Sequence, residues 1–292
     1  MSEKNKTEAS TIYLVATPIG NLADISERAI KVLGEVDFIA AEDTRNTLKL
    51  LGCLGIKNEL ISYHEHNKRS AGERIIERVL CGESCAVVTD AGMPAISDPG
   101  EDIVRLAADA GIRVSVIPGA CAAVSALSLS GLSTSRFCFE GFLSTKSSER
   151  RERLARLARE DRTMIIYEAP HKLCDTLGDL CSAFGEERKI ALCRELTKLN
   201  EEIIRTTIKD AVSYYEKNSP RGEYVLIVEG CSEERAQGAD ENPLLSLSPE
   251  EHVAHYEAEG LSRMDATKRA AKDRGMTKSE LYKIINGGKN ES

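Results

Sequence analysis

Val87-Val88-Thr89-Asp90-Ala91-Gly92-Met93-Pro94-Ala95-Ile96-Ser97-Asp98-Pro99-Gly100 is an apolar run that breaks into small, turn-forming and acidic residues. Residues 86–88 predict a buried strand. Glu101-Asp102 then opens a helical pattern through Ile103, Leu106, Ala107 and Ala110. A strand running into such a loop is where open α/β sheets bind ligands. Small residues let a ligand approach the backbone, and the Asp side chains offer acceptors. An ordinary strand-to-helix connection has the same local pattern, so the stretch alone leaves site and connector both open.

Upstream, residues 12–16 form a short apolar segment that ends in Thr17-Pro18-Ile19-Gly20, with Pro and Gly placed for a turn. Residues 26–33 predict a helix stopped by Gly34, and residues 36–41 a second strand running directly into Glu42-Asp43-Thr44-Arg45. A third strand at 60–63 precedes His64-Glu65-His66-Asn67, and residues 73–80 are amphipathic. Downstream, residues 113–117 form a strand ending in Pro118-Gly119-Ala120, and residues 121–129 a helix of small residues suited to close packing. Strands alternating with helices argue a mostly parallel α/β sheet.

A second half begins with Phe137-Cys138-Phe139-Glu140-Gly141-Phe142. It continues through a basic segment at 146–162, a strand at 163–167, the turn Glu168-Ala169-Pro170-His171 and a helix at 172–184. A strand at 189–193 leads into Arg194-Glu195-Leu196-Thr197-Lys198, and Arg221-Gly222-Glu223 precedes a strongly β-prone run at 224–228. Residues 248–288 carry three helix-start signals, at Ser248, Ser262 and Thr277, with Gly260, Gly275 and Gly287 as stops. The expected organisation is a disordered tail at 1–10, α/β domains at 11–132 and 133–231, a linker at 232–247 and a small helical unit at 248–292, similar to a helix-turn-helix.

Composition narrows the function classes. Hydrophobic residues at 41% and charged residues at 29% of 292 are ordinary for a globular chain of two domains or more. Nine Cys without a CxxC pair predict free thiols in a reducing cytoplasm and no metal site. Residues 1–10 lack the apolar core of a signal peptide, and no run approaches a membrane span. A net charge of −8 leaves local patches as the only source of nucleic-acid contact. Two such patches stand out: residues 146–162 hold seven Lys or Arg against four Asp or Glu, and residues 262–289 hold eight against three. Either is also readable as a solvated face, and the helical tail as a small docking bundle.

The dinucleotide G-x-G-x-x-G, the P-loop and the G-x-S-x-G elbow are all absent. What remains is the loops at 17–20, 90–100 and 118–120, which are expected to converge at one edge of the sheet and line a cleft between the two halves. Such a cleft suits a neutral or cationic cofactor held by backbone groups and carboxylates more than a polyphosphate.

Five motifs carry a resemblance. They are residues 13–22 (YLVATPIGNL), 41–45 (AEDTR), 88–94 (VTDAGMP), 167–171 (YEAPH) and 194–198 (RELTK). In this order they resemble the ribosomal RNA small subunit methyltransferase I family of the tetrapyrrole-methylase superfamily. The resemblance runs from about Ile12 to the end and departs from the family pattern at Ser144 and Asn200. It implies two α/β domains with S-adenosylmethionine between them, a homodimer, and 2′-O-methylation of cytidine 1402 in the 16S rRNA of the small subunit. By that analogy Pro18, Asp90, Ala91, Gly92, Ser97 and Asp98 surround the cofactor from the first domain, with Pro118, Gly119 and Ala120. From the second come Tyr167, Ala169, Pro170 and Arg194, with Gly222, Tyr224 and Val225.

Methyl transfer to a ribose hydroxyl needs alignment and gains from a base. Glu42, Asp43 and His64, each just past a strand end, are the candidates, and Arg45 is placed to hold a phosphate. The plainer reading of residues 42–45 is a local ion pair with a helix cap. Lys146, Arg150 and Arg151 in the first basic segment are candidate RNA contacts, as are Arg263, Lys268, Arg269, Lys272 and Lys278 in the tail. A tetrapyrrole methylase and a non-enzymatic nucleic-acid-binding regulator are the alternatives.

Overall fold

A computed structural model describes residues 6–232, 243–245 and 247–287. The chain divides into one unit of residues 1–158 and 162–230 and a second of residues 159–161 and 231–292.

The first unit contains two five-stranded sheets. Strands β1 (Thr11–Val15), β2 (Phe38–Ala41), β3 (Glu59–Ser62), β4 (Cys85–Val88) and β5 (Arg113–Ile117) are all parallel, in the order β3-β2-β4-β1-β5. The helices between them are α1 (Glu27–Glu35), α2 (Thr44–Leu54), α3 (Lys68–Leu80) and α4 (Gly100–Asp109). Every residue of β1, β2 and β4 is buried, because helices cover both faces. One face packs Ile12, Phe38, Ile75 and Ile103, the other Val15, Leu33, Ile39 and Leu51. Each such side chain contributes on the order of 2 kcal/mol. The chain leaves β1 toward β2 on one side and leaves β4 toward β5 on the other. β1 and β4 are neighbours, so the crevice beyond their carboxyl ends is the topological switch point, where open α/β sheets bind ligands.

Helix α5 (Ala122–Ser130) leaves the first sheet and packs on the second. Its Ala123, Ala126 and Leu127 lie against Ile165, Ala191, Cys193 and Ile227, so the small residues permit the close approach expected of them. The second sheet has strands β6 (Phe137–Phe142), β7 (Thr163–Glu168), β8 (Lys189–Arg194), β9 (Glu202–Thr207) and β10 (Tyr224–Val228), in the order β6-β7-β10-β8-β9. Only β6 and β7 pair in parallel. Helices α6 (Ser147–Leu157), α7 (Leu173–Phe184) and α8 (Ile208–Tyr215) cover its other face through Leu154, Leu177, Leu180 and Tyr215. β9 and α8 are additions to the sequence reading.

Of the stretch read as an amino-terminal tail, residues 1–5 lie outside the described residues. The rest is tied down: Glu8 N donates to the Tyr13 hydroxyl at 2.8 Å, and the Glu8 carboxylate pairs with Arg113. Most of the stretch read as a linker, 233–242 and 246, also lies outside the described residues.

The second unit is built from helices Pro249–Ala258, Arg263–Asp273 and Lys278–Gly287. Their starts fall where the sequence placed them. Ser248 forms a capping box with Glu251, Ser262 caps through Asp265 N, and Thr277 Oγ1 accepts from Glu280 N. Val253, Tyr256, Ala266, Ala270 and Leu281 make its core. Among the described residues no helix is long and apolar enough to cross a membrane.

Candidate active site

The loops that follow β1, β4 and β5 are laced together. Thr17 N donates to Gly92 O at 2.9 Å, Gly92 N returns a bond to Thr17 O at 3.1 Å, and Thr17 Oγ1 donates to Thr89 O at 3.2 Å. Gly92 sits at φ +88°, and a Cβ there would come within 3.2 Å of Ile19 Cγ2 and 3.5 Å of Ala120 O. The left-handed φ favours glycine, and an added Cβ would press on Ile19. Beside this junction opens a cavity of about 460 Å³. From the first sheet Ile19, Glu42, Thr89, Asp90, Ala91, Gly92, Met93, Ile96, Ser97 and Asp98 line it, with Cys121 and Ala122. From the second come Phe142, Tyr167, Glu168, Ala169, Glu195, Leu196, Lys198, Glu223, Tyr224 and Val225.

The loop before α4 is held in an uncommon conformation. Ala95 and Ser97 adopt φ of +67° and +65°, each costing roughly 1–2 kcal/mol. The Asp98 carboxylate offsets this by accepting from three amides: Ala95 N at 3.0 Å, Ile96 N at 3.2 Å and Gly100 N at 2.7 Å. Asp98 therefore lines the cavity with oxygens already engaged, and its work is to shape the loop. The buried Tyr63 hydroxyl, pushed up to about 12 by burial, anchors the same loop by donating to Pro99 O at 2.9 Å.

One wall is acidic. Glu42 Oε2 accepts from Thr89 Oγ1 at 2.5 Å and from Asp90 N at 3.3 Å, which leaves its Oε1 without a hydrogen-bond partner among the described residues. Asp90 Oδ2 accepts from Asn46 Nδ2 at 3.0 Å. Burial raises the pKa of Asp90 above the ordinary carboxylate value, and the charges of Glu42 and Asp43 add to it. Asp43 and Arg45 follow the plainer of their two readings. Asp43 caps α2 by accepting from Arg45 N at 2.8 Å, and its carboxylate pairs with the Arg45 guanidinium at 2.6 Å. That pairing holds Asp43 well below the usual carboxylate range. Neither residue lines the cavity, and neither does His64. His64 Nδ1 is buried without a hydrogen-bond partner, while its backbone N donates to Asn67 Oδ1 at 2.8 Å.

The opposite wall is aromatic and strained. Tyr167, pushed up to about 12 by burial, meets Phe139 and Phe142 edge-on at centroid distances of 5.1 and 5.4 Å. Glu195 and Thr197 take φ of +51° and +65°. A Cβ on Gly222 would lie 2.6 Å from Glu195 Oε1. Lys198 Nζ sits 2.9 Å from the same carboxylate oxygen. Arg194 turns away to pair with Glu202 at 2.6 Å.

Of the cofactor residues expected from the sequence, Asp90, Ala91, Gly92, Ser97, Asp98, Tyr167, Ala169, Tyr224 and Val225 line the cavity. Pro18, Pro118, Gly119, Ala120, Pro170, Arg194 and Gly222 are not among its lining residues. Gly119 packs where a Cβ would meet Ala16 Cβ at 2.8 Å. Ile19, Thr89, Glu195, Leu196, Lys198 and Glu223 are lining residues that sequence reasoning missed, although the first five lie inside the quoted motifs.

The first basic segment is largely spent within the fold. Arg150, expected to contact RNA, is only 6% exposed and pairs with Asp179 at 2.7 Å, because its position on α6 faces α7. Lys146 pairs with Glu149 at 2.9 Å, Arg153 with Glu140 at 2.6 Å and Arg156 with Glu152 at 2.5 Å. Arg151 is exposed, with Nε donating to Ser147 O at 3.3 Å. In the helical unit Lys268, Lys272 and Lys278 are exposed and form no ion pair among the described residues. Arg263 pairs loosely with Glu257 at 3.7 Å, and the Arg269 guanidinium lies 5.2 Å from the Tyr256 ring centroid.

Residues 11–212 match the family model of the Tetrapyrrole (Corrin/Porphyrin) Methylases. Among solved structures, the chain is similar to a uroporphyrin-III-C-methyltransferase from Thermus thermophilus, with a TM-score of 0.53 at 21% identity over 75% of this chain and 94% of that one. It is also similar to a cobalt precorrin-4 methyltransferase, with a TM-score of 0.55 at 17% identity over the same shares. At these identities the likeness is one of fold. A ribosomal RNA small subunit methyltransferase I of Halalkalibacterium halodurans is 48% identical over 97% of both chains. The protein of that name in Bacillus subtilis is 45% identical over 97% of this chain and 96% of its own, and that of Escherichia coli O157:H7 is 44% identical over 93% of each. The chain belongs to the ribosomal RNA small subunit methyltransferase I family, within the tetrapyrrole methylases.

Proposed function

We propose that this chain transfers a methyl group from S-adenosylmethionine to the ribose 2′-hydroxyl of cytidine 1402 in the 16S rRNA of the small ribosomal subunit. The observation that carries the reading is the Glu42 carboxylate, fixed by Thr89 on the wall of a cavity at the switch point of a methylase fold. The cavity's volume lies in the range of small-molecule and cofactor sites. Its Glu42 and Asp90 carboxylates suit a cationic donor, and Ile96, Leu196, Phe142 and Tyr167 offer apolar cover for a planar ring. S-Adenosylmethionine, when bound, supplies an electrophilic methyl carbon on a sulfonium. Ala91, Tyr167 and Ala169 line the space that would hold it, and the engaged carboxylate of Asp98 keeps the loop in shape. Glu42 takes the proton from the acceptor hydroxyl. Asp43 is committed to Arg45, which makes it a poor proton acceptor.

The exposed lysines of the helical unit, with Arg263 and Arg269, carry the RNA contact in this reading, and Lys146 and Arg151 add to it. The reading includes a homodimer, and the exposed side chains of Val116, Val124, Phe137 and Phe139 are available to it. We place the protein in the cytoplasm, a reducing compartment that suits nine cysteines outside any disulfide.

Incubation with methyl-labelled S-adenosylmethionine plus small-subunit particles, naked 16S rRNA or a tetrapyrrole tests the reading. Label in a ribose 2′-O-methyl group of the rRNA is expected. Label in the tetrapyrrole alone makes the chain a small-molecule methylase, and failure to bind the donor makes it a non-enzymatic binder.

A further inference from the structure

Leu199 is 99% exposed, a large apolar side chain at the tip of a turn. Single exposed leucines are common on protein surfaces and ordinarily carry no meaning. This one differs in how it is presented. Residues 198–201 form a turn closed by Glu201 N donating to Lys198 O at 3.1 Å. The preceding Thr197 N donates to Glu201 Oε2 at 2.7 Å, and Lys198 N to Glu195 O at 3.0 Å. Glu195 and Thr197 are both left-handed, conformations that cost free energy in residues other than glycine. The turn is thus a fixed mount, and turn tips ordinarily carry polar residues or proline.

The mount stands at the cavity. Lys198, next to Leu199, lines it, as do Glu195 and Leu196. The stem of Lys198 also lies across Gly20 of the loop after β1, where a Cβ would collide with Lys198 Cγ, and Thr197 Oγ1 is 3.1 Å from that same position. Two residues beyond Gly20, Leu22 is 43% exposed. Leu199 thus directly follows a residue of the cavity wall, and the loop that carries Leu22 touches the same lysine.

A ribose hydroxyl in structured RNA is held by base stacking and pairing, and a cavity walled on two sides admits it only when its nucleotide leaves the stack. Proteins that unstack nucleic acid insert apolar side chains between base steps, and enzymes acting on a stacked nucleotide extrude it into a pocket. We propose that Leu199 is a wedge that inserts into the base stack beside the target nucleotide and frees it to enter the cavity. The proposal rests on the reading of RNA as substrate. Lys198 keeps its ammonium on Glu195, so the wedge acts through apolar contact.

The test compares wild type with Leu199→Ala and Leu199→Met. Methylation of small-subunit particles is followed together with the fluorescence of 2-aminopurine placed next to the target cytidine in an rRNA hairpin. Leu199→Ala is expected to lower kcat about 10- to 100-fold and to lose the fluorescence rise that accompanies unstacking. Cofactor affinity, sedimentation and thermal midpoint stay unchanged, and Leu199→Met restores most of the rate and the signal. Wild-type kinetics and fluorescence in Leu199→Ala overturn the wedge. A shift of that variant toward monomer also overturns it, by making Leu199 a contact between copies. Absence of label in the RNA with wild type removes the RNA reading itself, a failure seen without reference to any variant.

Discussion

Thr17 and Gly92 exchange both backbone hydrogen bonds, at 2.9 and 3.1 Å, and so tie the loop after β1 to the loop after β4 at the switch point of the parallel sheet. The bridge depends on a left-handed residue with no side chain. Gly92→Ala is expected to cost about 1–2 kcal/mol, a fall of roughly 3–6 °C in Tm. Cofactor binding should weaken by about tenfold. Differential scanning calorimetry and titration calorimetry measure the two effects.

Asp98 acts on the cavity through the loop it folds. Asp98→Ala leaves the amides of Ala95, Ile96 and Gly100 without their acceptor, at a cost of roughly 1–3 kcal/mol. Amide exchange at these three positions should accelerate by about 10- to 100-fold while the strands keep their protection. Cofactor affinity should fall in parallel, with Asp98→Asn intermediate.

His252 makes the helical unit sensitive to acid. Its side chain is fully buried, and Nδ1 accepts from Arg274 Nε at 3.1 Å. Burial comes first among the causes that lower its pKa, and the Arg274 charge adds to it; Asp273, 3.4 Å from Nε2, acts the other way. A histidine depressed in the folded state stabilises above its unfolded value near 6.5 and loses that contribution as pH falls through the folded pKa. Protonation would set an N–H of His252 against that of Arg274. The NMR signals of residues 249–287 should broaden or disappear as pH falls below about 6.5, while those of the sheets persist. His252→Gln should flatten the dependence.

The exposed lysines of the helical unit predict a salt-dependent affinity. Reversing Lys268 and Lys272 to Glu should weaken RNA binding and lower the slope of log K against log salt by about 0.7 for each phosphate that is no longer neutralised. Binding of the cofactor should not change. A filter-binding series from low to moderate salt measures the slope.

Much of this architecture was legible because it depends on local signals. Ser248, Ser262 and Thr277 start helices where hydroxyls precede acidic residues by three, and apolar runs broken by Pro and Gly mark the strands of the first sheet. β9 escaped because Glu202-Ile203-Ile204-Arg205-Thr206-Thr207 mixes polar and apolar residues on a half-buried edge. The cavity was readable where small and acidic residues cluster, as at Asp90 to Gly92. It was not readable at Glu195 and Lys198, whose places depend on left-handed backbone at residues other than glycine. Arg150 shows the limit of counting charge. Its segment is basic, but the helix face that carries Arg150 is buried against Asp179.

Glu42 holds the account together, because the geometry ranks it above the other two candidate bases. Asp43 is a cap and an ion-pair partner, and His64 lies outside the cavity. The most direct measurement is single-turnover methylation by Glu42→Gln beside Asp43→Asn and His64→Ala, each saturated with cofactor. Glu42→Gln is expected to lose about 10²–10⁴-fold in rate at saturating S-adenosylmethionine, while the other two keep most of theirs. A Glu42→Gln enzyme that methylates at the wild-type rate would contradict the placement of the chemistry at this edge of the sheet.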